Sequence, residues 1–241
     1  SVKLAKKLTR GLSGFVNAIL RSVIREQDSI GIEDLAANDI EAISFIYNIP
    51  LWLINLWIRE FGRDKTEDLC AWFNEQPKLT ARINTILIDI PQCLTMLNEQ
   101  GWAVTQDSNY EDIIYINSHC GSLEKSEAFI KGYITFMDKA SMLVARLVNP
   151  QPGERILDCC AAPGGKSMYM ATLMDNVGSL MSCDIHEHKI ELLNSNADRL
   201  GASIVHTKVQ DATKLPDSWN SYFDRVLVDA PCSGLGILQK K

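Results

Sequence analysis

The sequence lacks an excess of positive charge, a long apolar run and closely paired cysteines, and each absence excludes a class of protein. With 24 basic against 30 acidic residues the net charge is −6, so nucleic acid is not held by global charge and any RNA partner must be met by a local patch. The longest apolar stretch, Ile49 to Ile58, is interrupted by Asn55, whereas a membrane-spanning helix needs roughly 20 apolar residues. A soluble chain is expected. The cysteines Cys70, Cys93, Cys120, Cys159, Cys160, Cys183 and Cys232 form an odd set with no C-x-x-C pair. Together with the absence of a secretory pattern, this predicts free thiols in a reducing cytoplasm rather than a disulfide framework or a zinc ribbon.

What is present is ample apolar material: 46% hydrophobic and 22% charged residues in 241, enough for one or two ordinary cores. The chain starts at Ser1 and stops at Lys240-Lys241, just after a glycine-rich turn. It reads as a fragment of a longer protein.

Three regions follow from the texture. Residues 1–73 are expected to be helical, because Leu4, Leu8, Leu12, Phe15, Val16, Ile19, Leu20 and Val23 recur at helical spacing. The first 25 residues carry Lys3, Lys6, Lys7, Arg10, Arg21 and Arg25 with no acid, either a solvated helix face or an RNA-facing patch. Residues 74–130 predict a small α+β module: a strand over Ala81 to Ile90, a helix over Pro91 to Gln100, a turn at Gly101 and a strand over Asp112 to Asn117. From residue 131 to 241 strands and helices alternate: Arg155–Asp158, Ser167–Met174, Ser179–Asp184, His186–Leu200, Ile204–Gln210 and Phe223–Asp229. Such alternation implies an α/β, Rossmann-like parallel sheet.

The run Asp158-Cys159-Cys160-Ala161-Ala162-Pro163-Gly164-Gly165-Lys166 follows a strand and opens a helix, where open α/β sheets bind nucleotides. Three ligand classes compete there. A P-loop requires a glycine where Cys160 stands, and a dinucleotide site requires G-x-G-x-x-G, which is absent. S-adenosylmethionine (SAM) tolerates a variable glycine-rich turn. Asp184, at the end of the next strand, is placed either to hold the two ribose hydroxyls of an adenosine ligand or to cap the following helix. Asp211, after the third strand, is either an adenine contact or a turn aspartate. The fourth strand leads into Asp229-Ala230-Pro231-Cys232-Ser233-Gly234, an acid and a thiol on one loop at the same sheet edge. Methylation of a pyrimidine at carbon-5 wants that set, because carbon-5 is a poor nucleophile until a thiolate adds to carbon-6. His186 and His188 lack the spacing of a metal-binding helix and read as a solvated helix end.

At these residues the sequence resembles the Nol/Nop/Sun family of RNA 5-methylcytosine methyltransferases. Asp158 to Lys166 resembles its SAM-binding motif and Asp229-Ala230-Pro231-Cys232-Ser233 its active-site motif. Pro50-Leu51-Trp52-Leu53 and Ala81-Arg82-Ile83-Asn84-Thr85 are similar to the segments leading into its RNA-binding module. Gly14 to Arg21 resembles the last part of a NusB-like helical domain, which points to the bacterial branch acting on small-subunit (16S) rRNA. The resemblance implies that Cys160, Ala161, Ala162, Pro163, Gly164, Gly165 and Lys166 line the methionine end of SAM, that Asp184 holds its ribose and Asp211 its adenine, and that Asp229 lies between cofactor and target base. It implies that Cys232 assists product release while the attacking thiol comes from a later Thr-Cys motif, absent from this sequence. Where the family has Gln-Asp before its core, this chain has Met137-Asp138. A cytoplasmic, monomeric, metal-free rRNA methyltransferase is the expectation. The alternatives are a tRNA cytosine-C5 methyltransferase and a non-catalytic, antitermination-like RNA-binding module.

Overall fold

The computed structural model describes residues 12–26 and 39–235. Lys3, Lys6, Lys7 and Arg10 of the basic stretch, Leu4 and Leu8 of the helical pattern, and Lys240-Lys241 lie outside the described residues. The chain divides into two compact units, one ending at Gln76 and the other beginning at Pro77.

The first unit is helical: α1 (Ser13–Glu26), α2 (Asp39–Tyr47), α3 (Leu51–Phe61) and α4 (Arg63–Asn74). Pro50 starts α3, since a fixed φ suits a helix entry, and its carbonyl accepts from the Leu53 and Ile54 N–H groups. Gly62, at φ +82°, separates α3 from α4. Leu53, Ile54, Trp57 and Cys70 are buried, and Trp57 stacks on Phe73 with centroids 5.5 Å apart. The apolar run Ile49 to Ile58 thus supplies a packed helix. Among the described residues no single helix is long and apolar enough to cross a membrane.

The second unit holds two sheets. The first comprises β1 (Thr80–Ile83), β2 (Ala103–Gln106), β3 (Ile113–Ser118) and β4 (Ile134–Phe136), with α5 (Ile90–Glu99) and the short α6 (Glu127–Ile130) in the connections. Its order is β2-β3-β1-β4, and its three pairings are antiparallel. Asp89 caps α5 by accepting from the Gln92 N–H at 2.8 Å, with a proline in the first turn. Ala81, Ile83, Cys93, Leu97, Trp102, Ile114 and Ile134 form the core of this sheet and its helices.

Two expectations are corrected here. The strand expected over Ala81 to Ile90 ends at Ile83, because the Asn84 carbonyl accepts from the Leu87 and Ile88 N–H groups and turns the chain. The boundary expected at residue 131 also moves, since Ile134–Phe136 pairs with β1 and completes the first sheet.

The second sheet is parallel, in the order β7-β6-β5-β8, and carries the Rossmann-like architecture. It is built from α7 (Lys139–Val148), β5 (Arg155–Asp158), α8 (Gly165–Leu173), β6 (Ser179–Asp184), α9 (Glu187–Leu200), β7 (Val205–Val209) and β8 (Arg225–Leu227). Ser167 through Thr172 of α8 are all buried, packed with Ile156, Leu180, Met142, Leu193 and Leu227.

The two sheets of this unit close on each other. Asn84 Nδ2 donates to the Gly132 and Leu200 carbonyls, both at 2.9 Å. At Gly132, with φ +74°, an added Cβ would lie 2.1 Å from the Arg199 carbonyl oxygen. Only glycine allows this approach.

Candidate cofactor and active site

The carboxyl ends of β5, β6, β7 and β8 open onto one cavity of about 630 Å3, at the edge where open parallel sheets bind ligands. Its floor is the loop after β5. The Cys159 N–H donates to the Leu227 carbonyl at 2.9 Å and the Ala161 N–H to the Cys183 carbonyl at 2.8 Å, so the loop is laced to both neighbouring strands. The Ala162–Pro163 peptide is cis. Gly164 takes φ +105°, a backbone conformation that favours glycine, and a Cβ there would come within 2.9 Å of the end of the Leu193 side chain.

Asp158 is only 1% exposed. Its Oδ2 accepts from Ser167 Oγ at 2.7 Å, while Oδ1 is buried without a hydrogen-bond partner. Burial pushes this carboxyl up to about 6, against the pull of Ser167, the Cys160 N–H and Lys166.

Asp184 ends β6 and is 5% exposed. Its Oδ1 accepts from the His186 N–H at 3.1 Å and lies 3.5 Å from Lys189 Nζ. The N-cap position of α9 belongs to His186, so Asp184 does not cap that helix. Asp211 Oδ1 accepts from the Thr213 N–H at 2.8 Å and from Thr213 Oγ1 at 2.7 Å. These bonds hold its carboxyl below the usual range. It is a turn aspartate that also lines the cavity.

Asp229 lines the opposite wall with Ala230, Pro231 and Cys232, and its Oδ2 lies 2.5 Å from Lys166 Nζ. The Cys232 thiol is exposed. By contrast burial pushes Cys159 up to about 11 and Cys183 up to about 12, which keeps both protonated at neutral pH.

The structure therefore gathers Cys160, Ala162, Asp184, Asp211, Asp229 and Cys232 around one space. Ala161, Pro163, Gly164, Gly165 and Lys166 are not among the lining residues. The glycines shape the turn, and Lys166 is tied to the cavity by its bond to Asp229. Sequence reasoning missed Ile185, Lys189, Gln210, Thr213 and Val228. Their signal was position alone, since each lies beside a strand end already marked by an acid or on the following helix. Among the described residues no group of three or more His, Cys, Asp or Glu is placed to hold a metal ion.

A family model described as 16S rRNA methyltransferase RsmB/F matches residues 145–241, and one for the RsmF/B-like ferredoxin-like domain matches residues 49–122. The probable ribosomal RNA small subunit methyltransferase B of Bacillus subtilis (strain 168) is 37% identical over 243 residues, covering 100% of this chain and 54% of the relative. The chain is similar to the RsmB/RsmF methyltransferase family over residues 49–122 and 145–241. A second RsmB relative, the probable ribosomal RNA small subunit methyltransferase B of Synechocystis sp. (strain ATCC 27184 / PCC 6803 / Kazusa), is 35% identical, covering 96% of this chain and 52% of that protein. The chain spans about half the length of these curated RsmB relatives. The crystal structure of a methyltransferase homolog protein from Pyrococcus horikoshii matches with a TM-score of 0.73 at 22% identity, covering 86% of this chain and 67% of that one. That likeness is one of fold.

Proposed function

We propose that this chain is the cofactor-binding and base-facing part of a SAM-dependent methyltransferase that modifies carbon-5 of a cytosine in 16S rRNA. The observation that carries the reading is the convergence of Asp184, Asp211, Asp229 and Cys232 on one cavity at the carboxyl edge of the parallel sheet. The cavity volume falls within the ordinary range of small-ligand sites, about 300 to 1,000 Å3. The lining fits SAM in character: a buried carboxylate, Asp184, for a ribose diol, a second acid, Asp211, for an exocyclic amine, and the apolar side chains of Ile185 and Val228 along the walls.

Bound SAM supplies an electrophilic methyl group. The chain's own residues do the positioning, and in such reactions orientation and preformed charge carry most of the rate enhancement. Asp229, steadied by Lys166, is the acid for the ring-nitrogen edge of the target cytosine. Cys232, exposed at the cavity, is the thiol that assists product release in this reading, with the attacking thiol outside this sequence. The expected setting is the cytoplasm, as a monomer without a metal ion. The three-part division of the chain and the NusB-like origin of the first helices remain part of this reading and rest on the sequence resemblance.

Calorimetric titration of SAM, with Asp184→Ala as control, tests the cofactor. Transfer of labelled methyl from SAM to cytosine in 16S rRNA by the full-length protein, with tRNA as the competing substrate, tests the rest. Saturable SAM binding lost in Asp184→Ala and label in 16S rRNA alone are expected; label in tRNA alone would overturn the rRNA assignment.

A further inference from the structure

Arg82 sits on β1 of the first sheet yet belongs energetically to the second. It is 0% exposed, the largest fully buried side chain among the described residues. Nη1 donates to Thr172 Oγ1 at 3.2 Å, and the guanidinium carbon lies 5.1 Å from the centre of the Tyr169 ring. Its Nε and Nη2 are buried without hydrogen-bond partners. Burial lowers its pKa to about 10, so it stays charged at neutral pH. A buried, partly unsatisfied guanidinium is costly and is a poor choice for simple packing.

Its two contacts lie one turn apart on the same face of α8. The same helix is gripped from two further points. Tyr169 donates its hydroxyl to Asp112 Oδ2 at 2.7 Å and accepts from Arg146 Nε at 2.6 Å, and Arg146 also pairs with Asp112. Thr172 Oγ1 lies 3.3 Å from Asn84 Oδ1 and 3.0 Å from the Met168 carbonyl. Arg82, Asn84 and Asp112 all come from the first sheet and its loops. One turn toward the N-terminus of α8 stand Lys166, which holds Asp229 at the cavity, and Ser167, which holds Asp158 at the end of β5, just before the cavity-lining Cys159 and Cys160.

We propose that Arg82 is a positioning residue for the cofactor site: from the first sheet it locks α8 through Thr172 and Tyr169, so that Lys166 and Ser167 keep Asp229 and Asp158 in place. The ferredoxin-like module is then a working wall of the methyltransferase core and not an appendage that only carries RNA. This inference rests on the cofactor reading above.

The test is SAM affinity, measured by calorimetry at a temperature where circular dichroism shows each variant folded. Thr172→Val removes the acceptor of Arg82 while preserving shape, and Arg82→Met removes the guanidinium. Leu97→Ala, in the core of the same sheet with no part in the contacts to α8, controls for stability alone. Thr172→Val and Arg82→Met are expected to weaken SAM binding about tenfold, within the range that such networks transmit. Arg82→Lys should recover part of the loss, and Leu97→Ala should lower the melting temperature with SAM affinity unchanged. If Arg82→Met does not fold, Thr172→Val decides. Wild-type affinity in folded Thr172→Val, or an equal loss in Leu97→Ala, would overturn the inference while leaving the cofactor reading intact. Absence of SAM binding by the wild-type protein would instead remove both.

Discussion

Lys166 Nζ and Asp229 Oδ2 meet at 2.5 Å, joining the N-terminal turn of α8 to the loop that carries Cys232. This bond connects the two motifs that the sequence presents separately, one at the end of β5 and one at the end of β8. Asp229 is about half exposed, with a side-chain exposure of 47%, so the pair contributes little to stability, ~1 kcal/mol or less. Its meaning lies in where it holds the carboxylate.

Lys166→Met should therefore leave the melting temperature within a few degrees of the wild type but depress methyl transfer by about 100-fold, the scale expected when a preorganised charge is removed from a reacting centre. Thermal melts and labelled-methyl assays on the full-length protein check this. A large loss of stability with normal turnover of the folded fraction would show that the bond is structural.

Asp184→Ala should weaken SAM binding by roughly 100-fold, because a buried carboxylate that accepts from two hydroxyls contributes charge-assisted bonds worth about 1.5 to 3 kcal/mol each. Lys189→Ala is the matched control. It removes a half-exposed neighbour at 3.5 Å and should change the affinity only a few-fold. Calorimetry on the two variants side by side separates them.

Asp158 makes stability depend on pH in an unusual direction. Its carboxyl is raised from 3.8 to about 6 by burial, so the unfolded chain releases this proton first. Below the unfolded value both states are protonated and Asp158 costs nothing. As pH rises through the window to about 6 the folded state is progressively penalised, by up to roughly 3 kcal/mol. Asp158→Asn, which keeps an acceptor for Ser167 and cannot ionise, should gain stability relative to wild type between about pH 4 and about pH 7. Urea denaturation of both proteins at the two pH values measures the difference, and a constant offset would refute the assignment.

Cys232→Ala, in the full-length protein with RNA and SAM, should retain or accumulate a covalent protein–RNA adduct, because release and not attack is its expected role. A denaturing gel with 5-fluorocytosine RNA reads this directly. Disappearance of the adduct would instead make Cys232 the attacking thiol.

Gly132→Ala should destabilise the second unit by about 3 kcal/mol, combining the left-handed backbone cost with overpacking. The built Cβ meets the Arg199 carbonyl at 2.1 Å, backbone that a rotamer change cannot clear. Gly121→Ala, also at positive φ but with open space around it, should show only the backbone part. Comparison of the two melting curves tests how tightly the sheets close.

Part of this architecture is local and was legible in the residues. The parallel sheet follows from the alternation of short apolar runs with helical periods after residue 150, and the acids Asp158 and Asp184 stand at the ends of strands the pattern located. The glycine turn at Gly164 is legible for the same reason, since the backbone conformation demands that residue type. The edge strands β2 and β4 escaped. They contain four and three residues, and the burial of β2 does not alternate cleanly, so they lack the period on which sequence reasoning depends. The extent of β1 was also misjudged, because its end is set by the hydrogen bonds of Asn84 and not by a glycine or proline.

By itself, then, the sequence determined the turn chemistry, the helix and strand periods of the core and the order of the acids along the carboxyl edge, all properties of neighbouring residues. Only the tertiary structure decided that Lys166 reaches Asp229, that Asp184 lines a cavity and does not cap a helix, and that Arg82 is buried against α8. Those outcomes depend on strand order and on how the two sheets of the second unit pack, and contacts between residues far apart in the chain leave no periodic trace in it.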